Sequence, residues 1–333
     1  MVLDHDENSQ GKGAALSKGG ARVKEIDGVI QIDIDIPFDV KRVYVYLLEI
    51  DGNLIMIDAG LNILDWKKKF RSALKDRLGF SLSDVDYCII THEHLDHSGL
   101  LKFLKRKNPN IQILMHEITN LSLRSTSNPD NYDKMKENAR QFAAEMKSYG
   151  LGEDYVHKMI KQFLAWPKLV RYQPPDRIVR DGDELHFKTS KLRFIWTPGH
   201  ALGHICIFES AHRRLFSGDH VLSRITPHIG KYHTLSLVDD KYICPNILQR
   251  YLDSLDKIDR LNPRIILPSH QEIIHDPQQR LMEIRKHHQR RFREILATIE
   301  EKALTPFEIS QVHFGTELDD MNNYMALNEV MSH

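Results

Sequence analysis

Alternating apolar and polar positions predict β-strands along much of the chain. Residues 29–36 alternate in this way, residues 43–50 are rich in β-branched and aromatic types, and Asp51-Gly52-Asn53 has the form of a hairpin turn. Further short apolar stretches predict strands at 54–57, 86–90, 111–115, 176–187, 192–196, 205–208, 214–217 and 264–267.

Apolar residues at helical spacing separate these strands into two sets. Helices are predicted at 64–78, 98–107, 246–261 and 277–303, and Thr305-Pro306 followed by Glu308 is typical of a helix start. Residues 117–170, rich in Lys, Glu, Gln and Met, predict a helical insertion. Two sets of strands with hairpins and intervening helices indicate an α/β sandwich rather than a doubly wound parallel sheet.

The pattern divides the chain into three parts. Residues 1–24 are polar, rich in Gly, Lys and Ser, and typical of a flexible tail. Residues 25–276 hold all the predicted strands and are expected to form the folded domain. Residues 277–333 are expected to form a C-terminal helical extension, whose first helix has an apolar stripe and a basic face.

Charge and cysteine content exclude several classes of protein. The 46 Lys and Arg balance 46 Asp and Glu, so the surface as a whole does not attract nucleic acid or an anionic membrane. Three cysteines without CxxC spacing do not make a disulfide scaffold. The polar N-terminus and the absence of a long apolar run predict neither a secretory signal nor a membrane span, so the cytoplasm is the expected compartment.

Potential metal ligands are concentrated directly after the strand predicted at 86–90. Four of them fall within six residues of the stretch Thr91-His-Glu-His-Leu-Asp-His: His92, His94, Asp96 and His97. Two imidazoles on one side of the chain, with a carboxylate and an imidazole beyond a turn, form an arrangement that suits Zn, Fe or Mn. A solvated polar loop is the alternative interpretation.

Three other predicted strands end in the same way. A Gly or Pro turn follows each strand and presents a histidine or an aspartate, namely His200, Asp219 and His270. A histidine of the core would more often lie inside an apolar run. Repeated placement at strand ends predicts one site at the edge of the sandwich.

These motifs resemble those of the metallo-β-lactamase-fold hydrolase superfamily over residues 28–275. The resemblance implies a four-layer αββα sandwich and two divalent metal ions, zinc in the first place and iron or manganese as alternatives. It places His92, His94 and His200 on one ion and Asp96, His97 and His270 on the other. Asp219 would bridge the two ions. Because all seven ligand positions are present, the sequence resembles the glyoxalase II, lactonase and lactamase-like ribonuclease branches of the superfamily.

The resemblance also implies hydrolysis by a hydroxide that bridges the two metals. Metal binding lowers the pKa of water to about 7, so such a hydroxide forms at neutral pH and attacks a carbonyl or phosphorus atom. Asp96 is the expected catalytic residue, because it is the nearest carboxylate able to orient the hydroxide or pass a proton.

Several neighbours of these motifs are expected to support the ligands. Asp58 resembles the superfamily's strand-end aspartate and would fix the tautomer of a ligand histidine, with a structural turn as an equal alternative. Thr91 is expected to shape the ligand loop. His204 and His220 are expected to be structural, and Glu93 to point away from the metals.

Residues 221–234 are basic and rich in hydrogen-bonding groups, including Arg224, His228, Tyr232 and His233. A positive loop near the metals would bind an anionic small-molecule substrate, and a solvated connector is the alternative. Mutation of its basic residues is then expected to raise KM.

The leading functional hypothesis is hydrolysis of a small ester, thioester or lactone. A phosphodiesterase or ribonuclease is the first alternative, favoured by the basic C-terminal helix but not by the neutral overall charge. A metal-containing regulatory protein that acts through partner contacts is the second. The apolar stripe at 281–299 would pack on the core or form a homodimer.

Alanine at His92 or Asp219 should abolish turnover and lower the metal content, because each substitution removes a ligand. Hydrolysis assays and elemental analysis of the same preparations measure both effects. Retained activity would contradict the hydrolytic interpretation.

Overall fold

Two β-sheets form the centre of the computed structural model, which describes residues 21–36, 40–62, 65–165, 171–230 and 245–333. The first sheet has seven strands in chain order: β1 Arg22–Ile26, β2 Val29–Asp35, β3 Arg42–Ile50, β4 Asn53–Ile57, β5 Val85–Ile90, β6 Gln112–His116 and β7 Arg177–Val179. The second sheet has five strands: β8 Glu184–His186, β9 Lys191–Trp196, β10 Ile205–Glu209, β11 Arg214–Gly218 and β12 Ile265–Pro268. Across this sheet they lie in the order β12, β11, β10, β9, β8.

Ten α-helices occur in the described part of the chain: α1 Trp66–Ser72, α2 Leu95–Ser98, α3 Leu101–Lys107, α4 Glu117–Ser127, α5 Tyr132–Ser148, α6 Glu153–Ala165, α7 Ile247–Leu261, α8 Pro277–Glu301, α9 Pro306–Phe314 and α10 Asp320–Ser332. A π-helical stretch, Ala73–Arg77, continues α1. Strands β4 to β7 are parallel, as are β11 and β12, and helices make the crossovers that parallel pairs need. The other neighbouring strands are antiparallel.

Three apolar interfaces order these elements into four layers. Between the sheets, Tyr46 and Ile89 of the first belong to the same buried cluster as Phe216 of the second. On the outer face of the first sheet the cluster includes Trp66 and Phe70 of α1 and Leu104 of α3. On the outer face of the second it includes Tyr251 and Leu255 of α7 and Leu281 of α8. The predicted αββα sandwich is therefore confirmed.

The ends of strands from both sheets meet at one edge of the sandwich. The backbone N–H of Ile205, which begins β10, donates to the carbonyl of Thr91 after β5 at 2.9 Å. Tyr44 in β3 donates to the carbonyl of Ser269 after β12, also at 2.9 Å. These bonds join the two sheets directly and hold together the loops that carry the predicted ligands.

The insertion and the C-terminal extension pack against each other. Phe142 and Met146 of α5, Met159 of α6 and Leu327 of α10 share one apolar cluster. Helix α9 begins at the predicted position, where Thr305 and Glu308 form a capping box. Two segments far apart in the chain thus build one helical body beside the sandwich.

The structure differs from the sequence prediction at several elements. Strand β1 begins at Arg22, inside the stretch expected to be a tail, because Arg22 pairs with Asp33 on β2; residues 1–20 lie outside the described part. The strand predicted at 176–187 is two strands, β7 and β8, which turn at Gly182 and belong to different sheets. The helix predicted at 98–107 begins only at Leu101, as α3, and Ser98 instead ends the separate short helix α2.

None of the helices in the described ranges is both long and apolar enough to cross a bilayer.

Leu255→Ala should lower the free energy of unfolding by about 2–5 kcal/mol, because Leu255 is fully buried where α7 packs on the second sheet. Leu296→Ala is the matched control, since Leu296 is also helical but 56% exposed, and its cost should stay within about 0.5 kcal/mol. Urea denaturation measures both. Equal effects would contradict the described core.

Candidate metal centre

Four loops at the common edge of the sheets present the seven predicted ligands. His92 follows β5, and the short helix α2, which begins after His94, carries Asp96 and His97. His200 lies in the loop between β9 and β10. Asp219 directly follows β11, and His270 lies two residues after β12. Four of the seven residues are buried, and His94, Asp96 and His200 are partly buried.

The first group consists of three imidazoles, His92, His94 and His200. His94 Nδ1 lies 3.0 Å from His92 Nε2 and 3.1 Å from His200 Nε2. His200 donates its Nδ1–H to the carbonyl of His228 at 3.1 Å. His92 Nδ1 lies 3.0 Å from the Thr91 hydroxyl, whose hydrogen goes to Asp58, so His92 donates there. The Nε2 atoms of His92 and His200 therefore both point a lone pair toward His94.

The hydrogens available to this group cannot satisfy its contacts. His94 Nδ1 can hold one hydrogen, so at least one of the two short nitrogen–nitrogen contacts brings lone pairs together. Protonation does not supply the missing hydrogen, because burial lowers the pKa of His92 well below its usual value and that of His200 to about 3. A metal cation between the three nitrogens removes the conflict, and the donors therefore fit one.

The second group alternates imidazoles with carboxylates. His97 Nε2 lies 3.6 Å from Asp96 Oδ2 and 3.5 Å from Asp219 Oδ1, and His270 Nε2 lies 3.4 Å from each of these oxygens. These separations exceed normal hydrogen bonds. They match the distances between neighbouring ligands around a metal with bonds of about 2.0–2.2 Å. His97 Nε2 and Asp219 Oδ1 are buried without a hydrogen-bond partner.

Asp219 lies between the two groups. Its Oδ1 faces His97 and His270, whereas its Oδ2 lies 3.5 Å from His200 Nε2. Ligand atoms of Asp219, His92 and His97 also lie within 4.8 Å of one another. The carboxylate thus has one oxygen for each group.

Electrostatics differ between the two groups. Burial favours the neutral form of Asp96, but His97 and His270 overcome it and hold the Asp96 pKa at about 2. Burial lowers the pKa of His270, yet Asp219 and Asp96 raise it to about 10. Without a cation this group therefore retains protons on imidazole, and metal binding would release them.

Asp58 fixes the orientation of His97. Its carboxylate accepts from His97 Nδ1 at 2.8 Å, from the Thr91 N–H at 2.8 Å and from the Ser269 hydroxyl at 3.0 Å. The His97 proton is thus held on Nδ1, and Nε2 faces the carboxylates of the second group. The contact of Ser269 was not predicted, although a hydroxyl directly before the last histidine is a usable signal.

His204, His220 and Glu93, which neighbour the candidate ligands in the sequence, lie around the centre. His204 Nε2 accepts the backbone N–H of Asp219 at 3.2 Å, and its Nδ1 lies 2.8 Å from the Thr197 hydroxyl, so it positions the Asp219 loop. The His220 ring packs on Tyr251 with a centroid distance of 4.6 Å. Glu93 extends toward Thr119 of α4.

The predicted pocket residues have different positions. His228 is near the site and contributes its backbone carbonyl to His200. The Arg224 guanidinium pairs with Glu272 at the surface, at 2.8 Å. Tyr232 and His233 lie outside the described residues. Substrate binding by this loop stays a prediction.

Comparison with known proteins identifies the family. The model of the metallo-beta-lactamase superfamily matches residues 39–270, and the chain therefore belongs to this superfamily of metal-dependent hydrolases. The probable metallo-hydrolase YqjP of Bacillus subtilis is 27% identical over 92% of this chain and 91% of its own. The resemblance inferred from the sequence motifs is confirmed.

Two further relatives bear on fold and chemistry. The metallo-beta-lactamase family protein TTHA1429 from Thermus thermophilus has a crystal structure that superposes with a TM-score of 0.72, at 27% identity and over 92% of each chain. The atrochrysone carboxyl ACP thioesterase of Aspergillus fumigatus is 22% identical over 84% of this chain and 71% of its own.

Asp58→Asn should weaken metal binding about 10–100-fold, because the amide no longer holds the His97 proton on Nδ1 as a carboxylate does. Asparagine tolerates the left-handed backbone at this position, where φ is 63°. Asp176→Asn is the control, since Asp176 pairs with Lys105 away from the ligands. Titration with a competing chelator measures affinity, and equal values for the two variants would contradict the role of Asp58.

Proposed function

We propose that the protein is a dinuclear-metal hydrolase, with zinc as its metal. One ion is assigned to His92, His94 and His200, and the other to Asp96, His97 and His270, with Asp219 shared between them. The catalytic domain is assigned to residues 25–276 and the C-terminal extension to 277–333.

One observation carries this proposal. Seven donors converge at one edge of the sandwich while His97 Nε2 and Asp219 Oδ1 remain buried without hydrogen-bond partners. Buried polar atoms without partners cost about 1–3 kcal/mol each, so a structure retains them where another group satisfies them. Two divalent ions would supply a hydroxide at neutral pH and polarise a substrate carbonyl.

The side chains of the protein itself have distinct proposed roles. Asp96 orients the attacking water by accepting a hydrogen bond from it. Asp58 holds His97, and His204 holds the loop of Asp219, so the ligands do not rearrange during turnover. Helix α4 closes one side of the site, where the Thr119 hydroxyl donates to the Gly203 carbonyl at 2.9 Å, and this contact helps to exclude bulk water.

A thioester is the proposed substrate, with oxygen esters and lactones as close analogues. The relative from Aspergillus fumigatus that is named as a thioesterase supports the choice of a thioester. The helical body formed by the insertion and the extension supports a small organic substrate rather than a polymer, because it lies against the loops of the site.

The zinc-loaded protein should hydrolyse an acyl-pantetheine thioester with a higher kcat/KM than the matched oxygen ester, a lactone, bis-p-nitrophenyl phosphate or single-stranded RNA. A chelator should abolish this activity. Steady-state assays with the five substrates under identical conditions measure the preference. Faster cleavage of the phosphodiester or the RNA would assign a phosphodiesterase instead.

Asp96→Asn should lower kcat about 10²–10⁴-fold, because it removes the carboxylate that orients water. Metal content is measured on the same sample, since Asp96 is also a proposed ligand. Asp86→Asn is the matched control: Asp86 accepts the N–H of Leu54 at 2.8 Å on the opposite end of β5, and this variant should keep full activity. An active Asp96→Asn variant would contradict the role of Asp96.

A further inference from the structure

A second cluster of potential metal ligands lies in the C-terminal extension. His287 and His288 are consecutive residues of α8, and Glu329 belongs to α10. One ligand atom from each residue lies within 4.8 Å of the other two. Consecutive helical positions point about 100° apart, so a third group that contacts both rings must come from another element. Glu329 approaches from that direction.

Two polar atoms of this cluster are buried without hydrogen-bond partners, His288 Nε2 and Glu329 Oε1. His288 is 1% exposed and Glu329 is 3% exposed. The separation of Glu329 Oε1 from His287 Nε2 is 3.9 Å, which is too long for a hydrogen bond. A buried carboxylate with an unpartnered oxygen is costly unless a cation neutralises it.

Hydrogen bonds on the Nδ1 side of the His288 ring fix its tautomer. His333 donates its Nδ1–H to the backbone carbonyl of Glu329 at 2.8 Å, so its Nε2 is an acceptor. His288 Nδ1 lies 3.1 Å from this acceptor and must donate to it. With its hydrogen on Nδ1, the neutral ring of His288 keeps a lone pair on Nε2. Metal-binding histidines show this arrangement, in which the ring nitrogen that does not bind the metal donates a hydrogen bond to another group.

The cluster has a route to solvent. His287 lines an open surface cavity of about 290 Å³ whose other walls include Arg280, Lys286 and Arg290. A cation can therefore approach the cluster from the side of His287, past basic walls that should make its entry and exit slow.

We propose that His287, His288 and Glu329 bind a third divalent transition-metal ion. Zinc is the ion with which the experiments below test this site. Two imidazoles and a carboxylate are a known zinc ligand set. The ion joins α8 to α10, and the Ser332 hydroxyl of α10 donates to the Ile229 carbonyl at 2.7 Å. The site thus fastens the extension onto the loop that carries His228, whose carbonyl holds His200.

Metal analysis tests the proposal directly. The full-length protein, saturated with zinc and freed of excess metal, should contain one equivalent more than either His288→Gln or Glu329→Gln. Glu294→Gln, a variant of a partly exposed glutamate on α8 that pairs with Arg291, is the control and should keep the wild-type content. Equal zinc in wild type, His288→Gln and Glu329→Gln would overturn the proposal.

Crystals of the zinc-loaded wild type give an answer that does not depend on folded variants. Anomalous scattering at the zinc edge should show a peak between His287, His288 and Glu329, separate from any peak at the proposed catalytic centre. Peaks at the catalytic centre alone would overturn the third site and leave the proposed function intact. A peak at the third site alone would support it and contradict the proposed function.

Discussion

One buried carboxylate, Asp58, joins the elements on which the candidate metal centre depends. It stands directly after β4 and accepts hydrogen bonds from Thr91 after β5, His97 in α2 and Ser269 after β12. An unpaired charge inside the protein would cost several kcal/mol, so these donors must stay in place while the protein is folded. The same bonds therefore fix three strand ends and the orientation of one proposed ligand.

Three other proposed ligand histidines follow a similar rule, in which one ring nitrogen donates a hydrogen bond to another group of the protein. His92 donates to Thr91, and His200 and His270 donate to backbone carbonyls. Their other nitrogens face inward and leave lone pairs together in a site with little access to water. This arrangement is unfavourable by itself and favourable around cations, as expected for a member of a metal-dependent superfamily.

The helical body extends the site beyond the sandwich. Apolar contacts join the insertion to α10, and α10 bonds to the loop that begins after Asp219. The extension is thus part of the structure that positions His200. The proposed third metal site lies in the same region, behind Tyr251, whose ring packs between His220 and His288. Metal occupancy there would affect how firmly the extension holds the loop.

The sequence by itself determined the sandwich, the seven candidate ligands and the helix start at Thr305, because each depends on a short local pattern: alternation, a strand-end motif or a cap. Only the tertiary structure decided that residues 176–187 divide between two sheets, that β1 begins at Arg22, and that Ser269 and His204 support the candidate ligands. These features depend on contacts between residues far apart in the chain, and no local pattern specifies the partner of such a contact.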